Sequence, residues 1–471
     1  MATNVATAGG EVQVTNLVNY TLVKLHVAMG LIFFIIVGLM GFLYSLQLDG
    51  IYPFPGIEFL SAGRVRMIHT AGAAYGFLVN MFTGLLYWAV PRFTGYKVFN
   101  EKYLGGFMFI GLQAAVLITV VAILFLGMAD NVEWGETPWW LDPIIVAWLL
   151  LHAIQFGAPI IKASQKAPLY VTGWYISAML VWTPLVVFMG NFIPRFWSAG
   201  SGAGAVQSTF IHDLVGLYVT PVAWGLMYYF VPVIMKKPMW SHGLSLLGFW
   251  GLAFFYPLNG VHHYLWSPIP MFAQYSAVFA TVAIEFAVTS VLINFMMTLR
   301  GSAEVLKYNV PLRYMYTGAI FYWITCFQCA FHVTLTFQKV IHFTDWVTGH
   351  AHLIMFGTFG MWVLGMAEYV WPRLFGKETM YSKGMSEGAY WLLTIGVIAM
   401  FVDLTAAGLV QGFDWIGLNP WIDSVNFSKP FWYFRSVTGI MMLTGLLMYA
   451  MNFYKTATAG KGLEAQLRES A

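Results

Sequence analysis

The side chains best placed to do chemistry are histidines set inside apolar stretches. The chain carries 11, and six share a pattern: His69, His212, the adjacent pair His262 and His263, and His350 with His352. A polar ring at membrane depth is costly and asks for a partner or a ligand. Imidazole ligates haem iron and suits copper, so six such rings spread over four apolar segments indicate redox metal rather than transport. Residues two apart on a helix differ by about 200° around its axis, so His350 and His352 point to opposite sides and one helix can serve two metal sites. His262 and His263 differ by about 100°, so both reach one metal only if the helix end is locally adjusted, with His212 as a third donor. Three imidazoles suit copper. Tyr256 precedes His263 by seven residues, two helical turns at nearly the same angle, which sets a phenol beside that metal. His26, His152, His242, His332 and His342 lack such partners and read as packing, interfacial or loop residues. Cys326 and Cys329, at i, i+3 in one apolar segment, read as inert core thiols rather than a disulfide or a zinc site.

These side chains need a scaffold that hides them from water, and the composition supplies one. The 471 residues are 59% hydrophobic and 9% charged, against the roughly 25% charge of soluble domains, so lipid must be the solvent for most of the surface. A net charge of +3 gives no reason to expect nucleic acid or an acidic partner. Apolar runs divided by Gly, Pro and charge clusters predict twelve transmembrane helices, at 18–47, 64–91, 103–128, 140–162, 169–193, 205–235, 242–266, 271–298, 312–338, 347–374, 386–412 and 431–454. Only helices and closed barrels satisfy their backbone in hydrocarbon, and runs this long without strict alternation are helices, so the fold class is an all-α polytopic membrane protein. One twelve-helix domain at 18–454 is expected, with 1–17 and 455–471 as cytoplasmic segments. The stretch 1–17 lacks the basic and apolar regions of a signal peptide, so the first helix is expected to act as the insertion signal. Arg64, Arg66, Arg195, Lys339, Lys429 and Arg435 fall on one side of the bundle and every other Lys and Arg on the opposite side, which predicts both termini in the cytoplasm.

Several longer stretches resemble one family. They are Gly63-Arg64-Val65-Arg66 before His69-Thr70; His212-Asp213-Leu214-Val215-Gly216; Tyr228-Tyr229-Phe230-Val231-Pro232; and Tyr256 with His262-His263. Thr344-Asp345-Trp346 leading to Gly349-His350-Ala351-His352, then Met380-Tyr381-Ser382 and Gln411-Gly412, complete the set. Together they resemble the catalytic subunit of haem-copper oxygen reductases, specifically the C-type (cbb3) cytochrome c oxidases, over most of the chain.

The resemblance implies a terminal respiratory oxidase reducing O2 to water, with proton uptake from the cytoplasm and proton pumping, in a bacterial cytoplasmic (inner) membrane. It makes His69 and His352 the axial ligands of a low-spin haem b, His350 the proximal ligand of a high-spin haem b, and His212, His262 and His263 the ligands of copper. Tyr256 matches the family's redox-active tyrosine, cross-linked there to a copper-ligand histidine, here His212. A proton path is implied along Tyr228, Ser245, Thr298 and Tyr322 toward Tyr256; hydroxyls suit relays because each both donates and accepts. Arg64, Arg66 and Arg435 could pair with haem propionates, and a calcium ion near them is a further family expectation. No Cys-x-x-Cys-His is present, so membrane-anchored monohaem and dihaem cytochrome c subunits are the implied partners, with a soluble or membrane cytochrome c as donor. Two features depart from the pattern: Gln328 stands where the family has a glutamate, and Glu285 lies mid-helix without an assigned role. Nitric oxide reductases, relatives on the same fold, use buried glutamates at their metal centre; the one four residues after their first metal-ligand histidine is matched here by Gly216. A nitric oxide reductase is therefore the alternative enzyme, and a non-enzymatic bis-histidine haem b membrane protein the alternative outside catalysis.

Overall fold

The computed structural model describes residues 17–460, so most of the two expected terminal segments lies outside the described residues. Those residues form helices and connections, with no strand among them. In chain order the principal helices are α1 (Tyr20–Leu48), α2 (Ala62–Thr94), α3 (Leu104–Leu126), α4 (Asp142–Ser164), α5 (Val171–Phe196), α6 (Gly200–Met235) and α7 (His242–Phe255). They continue with α8 (Met271–Leu299), α9 (Val310–His332), α10 (Asp345–Arg373), α11 (Lys383–Ile416) and α12 (Trp421–Thr458). Polar caps start several of them: Asn19, Ser241, Asn309 and Ser382 each accept a hydrogen bond from the free backbone N–H three residues on.

Ten of these helices are long and apolar enough to cross a membrane, and an eleventh arises if α9 and the short helix Leu335–Ile341, bent by 105°, form one span. The expected continuous span over 242–266 is not there. Its α-helix stops at Phe255 after 14 residues, and the chain goes on in two tight 3-10 turns, Tyr256–Leu258 and Gly260–Tyr264. Pro257 cannot supply the N–H that a continuing α-helix needs, which helps to end α7 at this point.

The interior of the bundle is where the chemistry-bearing helices sit. The most apolar windows of α2 and α6 are 89% buried and that of α10 is 78% buried, against 28% for α4 and 33% for α1. Thus α2, α6 and α10, which carry His69, His212 and the His350/His352 pair, are enclosed by the others. Each of the three loosens to a wider π-helical stretch just beyond its histidines, over Gly72–Leu78, Leu214–Val219 and Leu353–Gly360. π-Bulges recur at functional sites because they re-aim side chains without ending the helix.

Candidate metal centre

The 3-10 turn after α7 is the local adjustment that adjacent histidines require. It turns His262 and His263 toward His212 on α6, and one nitrogen from each of the three lies within 4.8 Å of those of the other two. The ring centroids are 4.3 Å apart for His212 and His262, 5.1 Å for His212 and His263, and 4.7 Å for the adjacent pair. His212 Nδ1 lies 3.0 Å from His263 Nε2, while the buried Nε2 of His212 has no hydrogen-bond partner among the described residues. Three converging imidazoles, one with an unmatched buried nitrogen, fit a borderline transition-metal ion such as copper.

The support behind His262 settles how its ring is protonated. Thr281 Oγ1 on α8 donates to the Ala277 carbonyl at 2.7 Å, so its hydroxyl hydrogen is already used. It lies 2.7 Å from His262 Nδ1 and must therefore accept from that nitrogen. His262 then carries its proton on Nδ1 and presents a bare Nε2, the arrangement a metal ligand needs. No sequence signal marked Thr281.

Tyr256 reaches the cluster by a different route from the one expected. It begins a 3-10 turn, so helical phase with His263 does not place it. Instead its ring stacks on His212, with centroids 4.5 Å apart and planes 14° from parallel. A Cβ at Gly216 would overlap the Tyr256 ring, and one at Gly260 would collide with Thr209 Cα, so both glycines let the turn after α7 press against α6. Gly216 thus leaves no room for a carboxylate at that position.

His350 and His352 point to opposite sides of α10, as their spacing requires. His350 Nδ1 donates to Gln328 Oε1 at 2.8 Å on α9, and its Nε2 lies 3.5 Å from Cys329 Sγ. His352 faces His69 on α2, the ring centroids 6.0 Å apart and 25° from parallel. Each of these two rings turns Nδ1 to a backbone carbonyl, His69 to Val37 at 2.9 Å and His352 to Thr348 at 2.8 Å, which leaves Nε2 as the ligating nitrogen. Two facing imidazoles with their Nε2 atoms free would hold a haem iron between them. Gly41 makes the approach of α1 possible: a Cβ there would lie 2.6 Å from His69 Nδ1.

One cavity of about 560 Å³ connects both sets, bounded by His69 and His352 at one end and by His212, His263 and His350 at the other. Arg66 and Arg435 line it, but not Arg64, whose guanidinium is taken by the Leu124 carbonyl at 2.6 Å and by Glu58. The propionate expectation thus keeps two of its three arginines at the cavity. Asp345, also on its lining, accepts from Gln411 at 2.6 Å and Trp432 at 2.8 Å. Two histidines read from sequence as packing, interfacial or loop residues, and a cysteine read as an inert core thiol, line this cavity. His332 lies 5.3 Å from His350 between ring centroids, His342 Nε2 donates to the His263 carbonyl at 3.1 Å, and Cys329 touches His350.

The hydroxyl line is only partly continuous. Tyr228 and Ser245 meet through Asn294, whose amide nitrogen lies 3.4 Å from the Tyr228 hydroxyl and donates to Ser245 Oγ at 3.0 Å. Asn294 is the member that sequence reading missed. Thr298 is committed to backbone, donating to the Asn294 carbonyl at 2.7 Å and accepting the Trp240 N–H at 3.0 Å. Tyr322 makes no hydrogen bond to these hydroxyls and has Trp224 packed edge-on against it at 5.8 Å. Glu285 on α8 lies one turn from Thr281, and its buried Oε2 has no partner among the described residues.

Residues 21–441 match the family model described as cytochrome c and quinol oxidase polypeptide I. The chain is 29% identical over 422 residues to the cbb3-type cytochrome c oxidase subunit CcoN1 of Stutzerimonas stutzeri, covering 87% of this chain and 88% of the relative. It is 28% identical to cytochrome c oxidase subunit 1 of Rhodobacter capsulatus, covering 89% and 82%. A nitric oxide reductase subunit of Stutzerimonas stutzeri matches at 28% over 132 residues, 26% of this chain and 27% of that one. Among solved structures, a cryo-EM structure of a heme-copper terminal oxidase dimer superposes with a TM-score of 0.77 at 15% identity, over 94% of this chain and 84% of that one. With a match that runs over nearly its whole length, the chain belongs to the subunit I family of cytochrome c and quinol oxidases.

Proposed function

We propose that the chain is the O2-reducing subunit of a cbb3-type cytochrome c oxidase, in a bacterial cytoplasmic membrane with both termini in the cytoplasm. One observation carries this reading: three imidazoles converge within 4.8 Å, a tyrosine stacks on one of them, and His350 faces them across a shared cavity. His69 and His352 would hold a low-spin haem b, His350 a high-spin haem b, and His212, His262 and His263 a copper ion. Bound there, these groups supply electron storage and the place where O2 is reduced. The chain's own residues supply ligand orientation and protons. Thr281, Gln328 and the Val37 and Thr348 carbonyls fix which nitrogen each ring presents. Tyr256 holds a phenolic proton at its hydroxyl, and the Tyr228 and Ser245 hydroxyls, held together by the Asn294 amide, carry protons toward it from the cytoplasmic end, with Tyr322 nearer the site. Thr298 holds the Asn294 backbone rather than relaying. Arg66 and Arg435 place positive charge on the cavity lining, where carboxylates of a bound group would lie. Calcium near them, proton pumping, and electron supply from monohaem and dihaem cytochrome c subunits complete the proposal.

The partial match to a nitric oxide reductase keeps a second chemistry in view. Gly216 argues against it, because the Tyr256 ring occupies the space that a glutamate there would need. Replacing Tyr256 by Phe in the purified complex tests the choice. Loss of O2 turnover with copper and both haems retained is expected; undiminished O2 turnover would overturn the reading.

A further inference from the structure

Arg435 on α12 is 6% exposed and lines the cavity, yet its guanidinium has no ion pair and no hydrogen bond among the described residues; its contact is with the Tyr44 ring, 5.8 Å from the centroid. Tyr44 stands one turn after Gly41, against which His69 packs, so Arg435 belongs to the end of the cavity bounded by His69 and His352. The other cavity arginine is placed differently. Arg66 has Glu133 3.7 Å away, and both side chains are half exposed. A buried guanidinium without a counter-charge is costly, and the packing of α11 against α12 supplies one.

These two helices run antiparallel, and contacts on either side fix their register. A Cβ at Gly396 would lie 2.5 Å from Met442 Cγ; further out, Gln411 donates to Ser428 Oγ at 2.9 Å and Trp415 Nε1 to Ser424 Oγ at 2.9 Å. Asp403 follows Gly396 by seven residues and Arg435 precedes Met442 by seven. Seven residues are two turns that return to within about 20° of the same face, so Asp403 stands opposite Arg435 across the pair. Asp403 is 9% exposed, makes no hydrogen bond among the described residues, and has a buried Oδ2 without a partner. The other carboxylates around Arg435 are engaged by neutral donors. Asp345 accepts from Gln411 and Trp432, and Asp49 accepts at 2.6 Å from Ser436, the residue next to Arg435. A carboxylate at membrane depth is rare and pairs with another group or serves a function.

We infer that Asp403 is the counter-charge of Arg435 and, through it, lowers the reduction potential of the haem held between His69 and His352. The guanidinium faces the cavity on one side and Asp403 on the other, so a carboxylate of a bound group and Asp403 share its positive charge. Each takes from the other. The Asp403 charge weakens the hold of Arg435 on the bound group and favours the oxidised haem, which carries one positive charge more than the reduced form. No covalent bond forms or breaks. Asp403 touches neither a proposed ligand nor substrate, and is a positioning residue that acts on the step by which electrons enter the chain.

The inference rests on the low-spin haem reading, and its test separates the two. The purified whole complex is titrated spectroelectrochemically at the low-spin haem, with haem content as control, for the parent, Asp403→Asn, Asp403→Glu, Arg435→Gln and the double variant of Asp403→Asn with Arg435→Gln. Expected for Asp403→Asn is a rise of about tenfold in the ratio of reduced to oxidised low-spin haem at a fixed applied potential, about 59 mV for one electron. Asp403→Glu keeps the charge and should stay within about twofold of the parent. In the Arg435→Gln background the Asp403 exchange should move the ratio by less than about threefold, because the group it acts through is gone. A ratio unchanged in Asp403→Asn overturns the inference, and so does a shift of full size without Arg435. Asp403→Ser removes the same charge with a smaller side chain and decides the matter if Asp403→Asn does not assemble. A parent without a low-spin haem overturns the haem reading itself, and this inference with it.

Discussion

Replacing Thr281 by Val isolates the orientation of a single ligand. Val keeps the branched shape and nearly the volume of Thr, so what is lost is the oxygen that accepts from His262 Nδ1 at 2.7 Å. Thr281 is 1% exposed and His262 9%, so bulk water does not take its place. The cost of an unmatched buried N–H is about 1–3 kcal/mol. The ring can avoid that cost only by moving its proton to Nε2, which removes it as a ligand through that nitrogen. At about 1.4 kcal/mol per tenfold, the loss corresponds to roughly 5- to 150-fold in metal affinity, in line with the 10–100-fold effect of removing outer-shell partners. Competition of the solubilised complex against a copper(I) chelator of known affinity measures it, with haem content as the internal control. Thr281→Ser, which retains the hydroxyl, should stay within about threefold of the parent. If Thr281→Val binds copper within about twofold of the parent, the hydroxyl does not orient His262 and the argument fails.

Other substitutions probe the remaining parts. Gln328→Glu puts a carboxylate on His350 Nδ1; a charge-assisted bond is roughly twice as strong as a neutral one, so the haem held by His350 should fall in midpoint potential by on the order of 60 mV per 1.4 kcal/mol gained, read by spectroelectrochemical titration. Asn294→Leu removes the amide that holds the Tyr228 and Ser245 hydroxyls together and should lower steady-state O2 turnover by about 10²-fold if protons pass there, with haem and copper content intact. Gly216→Ala drives a methyl into the Tyr256 ring; displacing a reacting group by about 1 Å costs on the order of 10²-fold, so O2 turnover should drop by that factor in an assembled complex.

How much of this was legible in the sequence depended on whether periodicity or a break in periodicity set the position. The opposed directions of His350 and His352 follow from helical spacing alone, and the structure places Gln328 on one side and His69 on the other. The convergence of His262 and His263 was foreseen as needing an adjusted helix end, and two 3-10 turns supply it. The same break undid the helical placement of Tyr256, which reaches His212 by stacking across α6 instead. The π-helical stretches beyond three sets of histidines left no mark in the apolar pattern, since a local widening keeps the same residues apolar. Thr281 and Gln328 each act through one long-range hydrogen bond and Asn294 through several, which no spacing rule reports. His332 and His342 looked isolated because their neighbours come from other helices. Arg64 turns to the Leu124 carbonyl rather than to the cavity.

The central claim is that one chain holds two haems b and a copper in a single cavity for the reduction of O2. The most direct measurement is haem, copper and iron content per chain of the purified complex, taken on the same sample as its turnover with O2 and with nitric oxide. Two haems b and one copper in this chain, after subtraction of the haem c of its partners, with O2 as the faster substrate, is the expected result. A non-haem iron in place of copper with nitric oxide turned over faster than O2, or a single haem with no copper, would contradict the account.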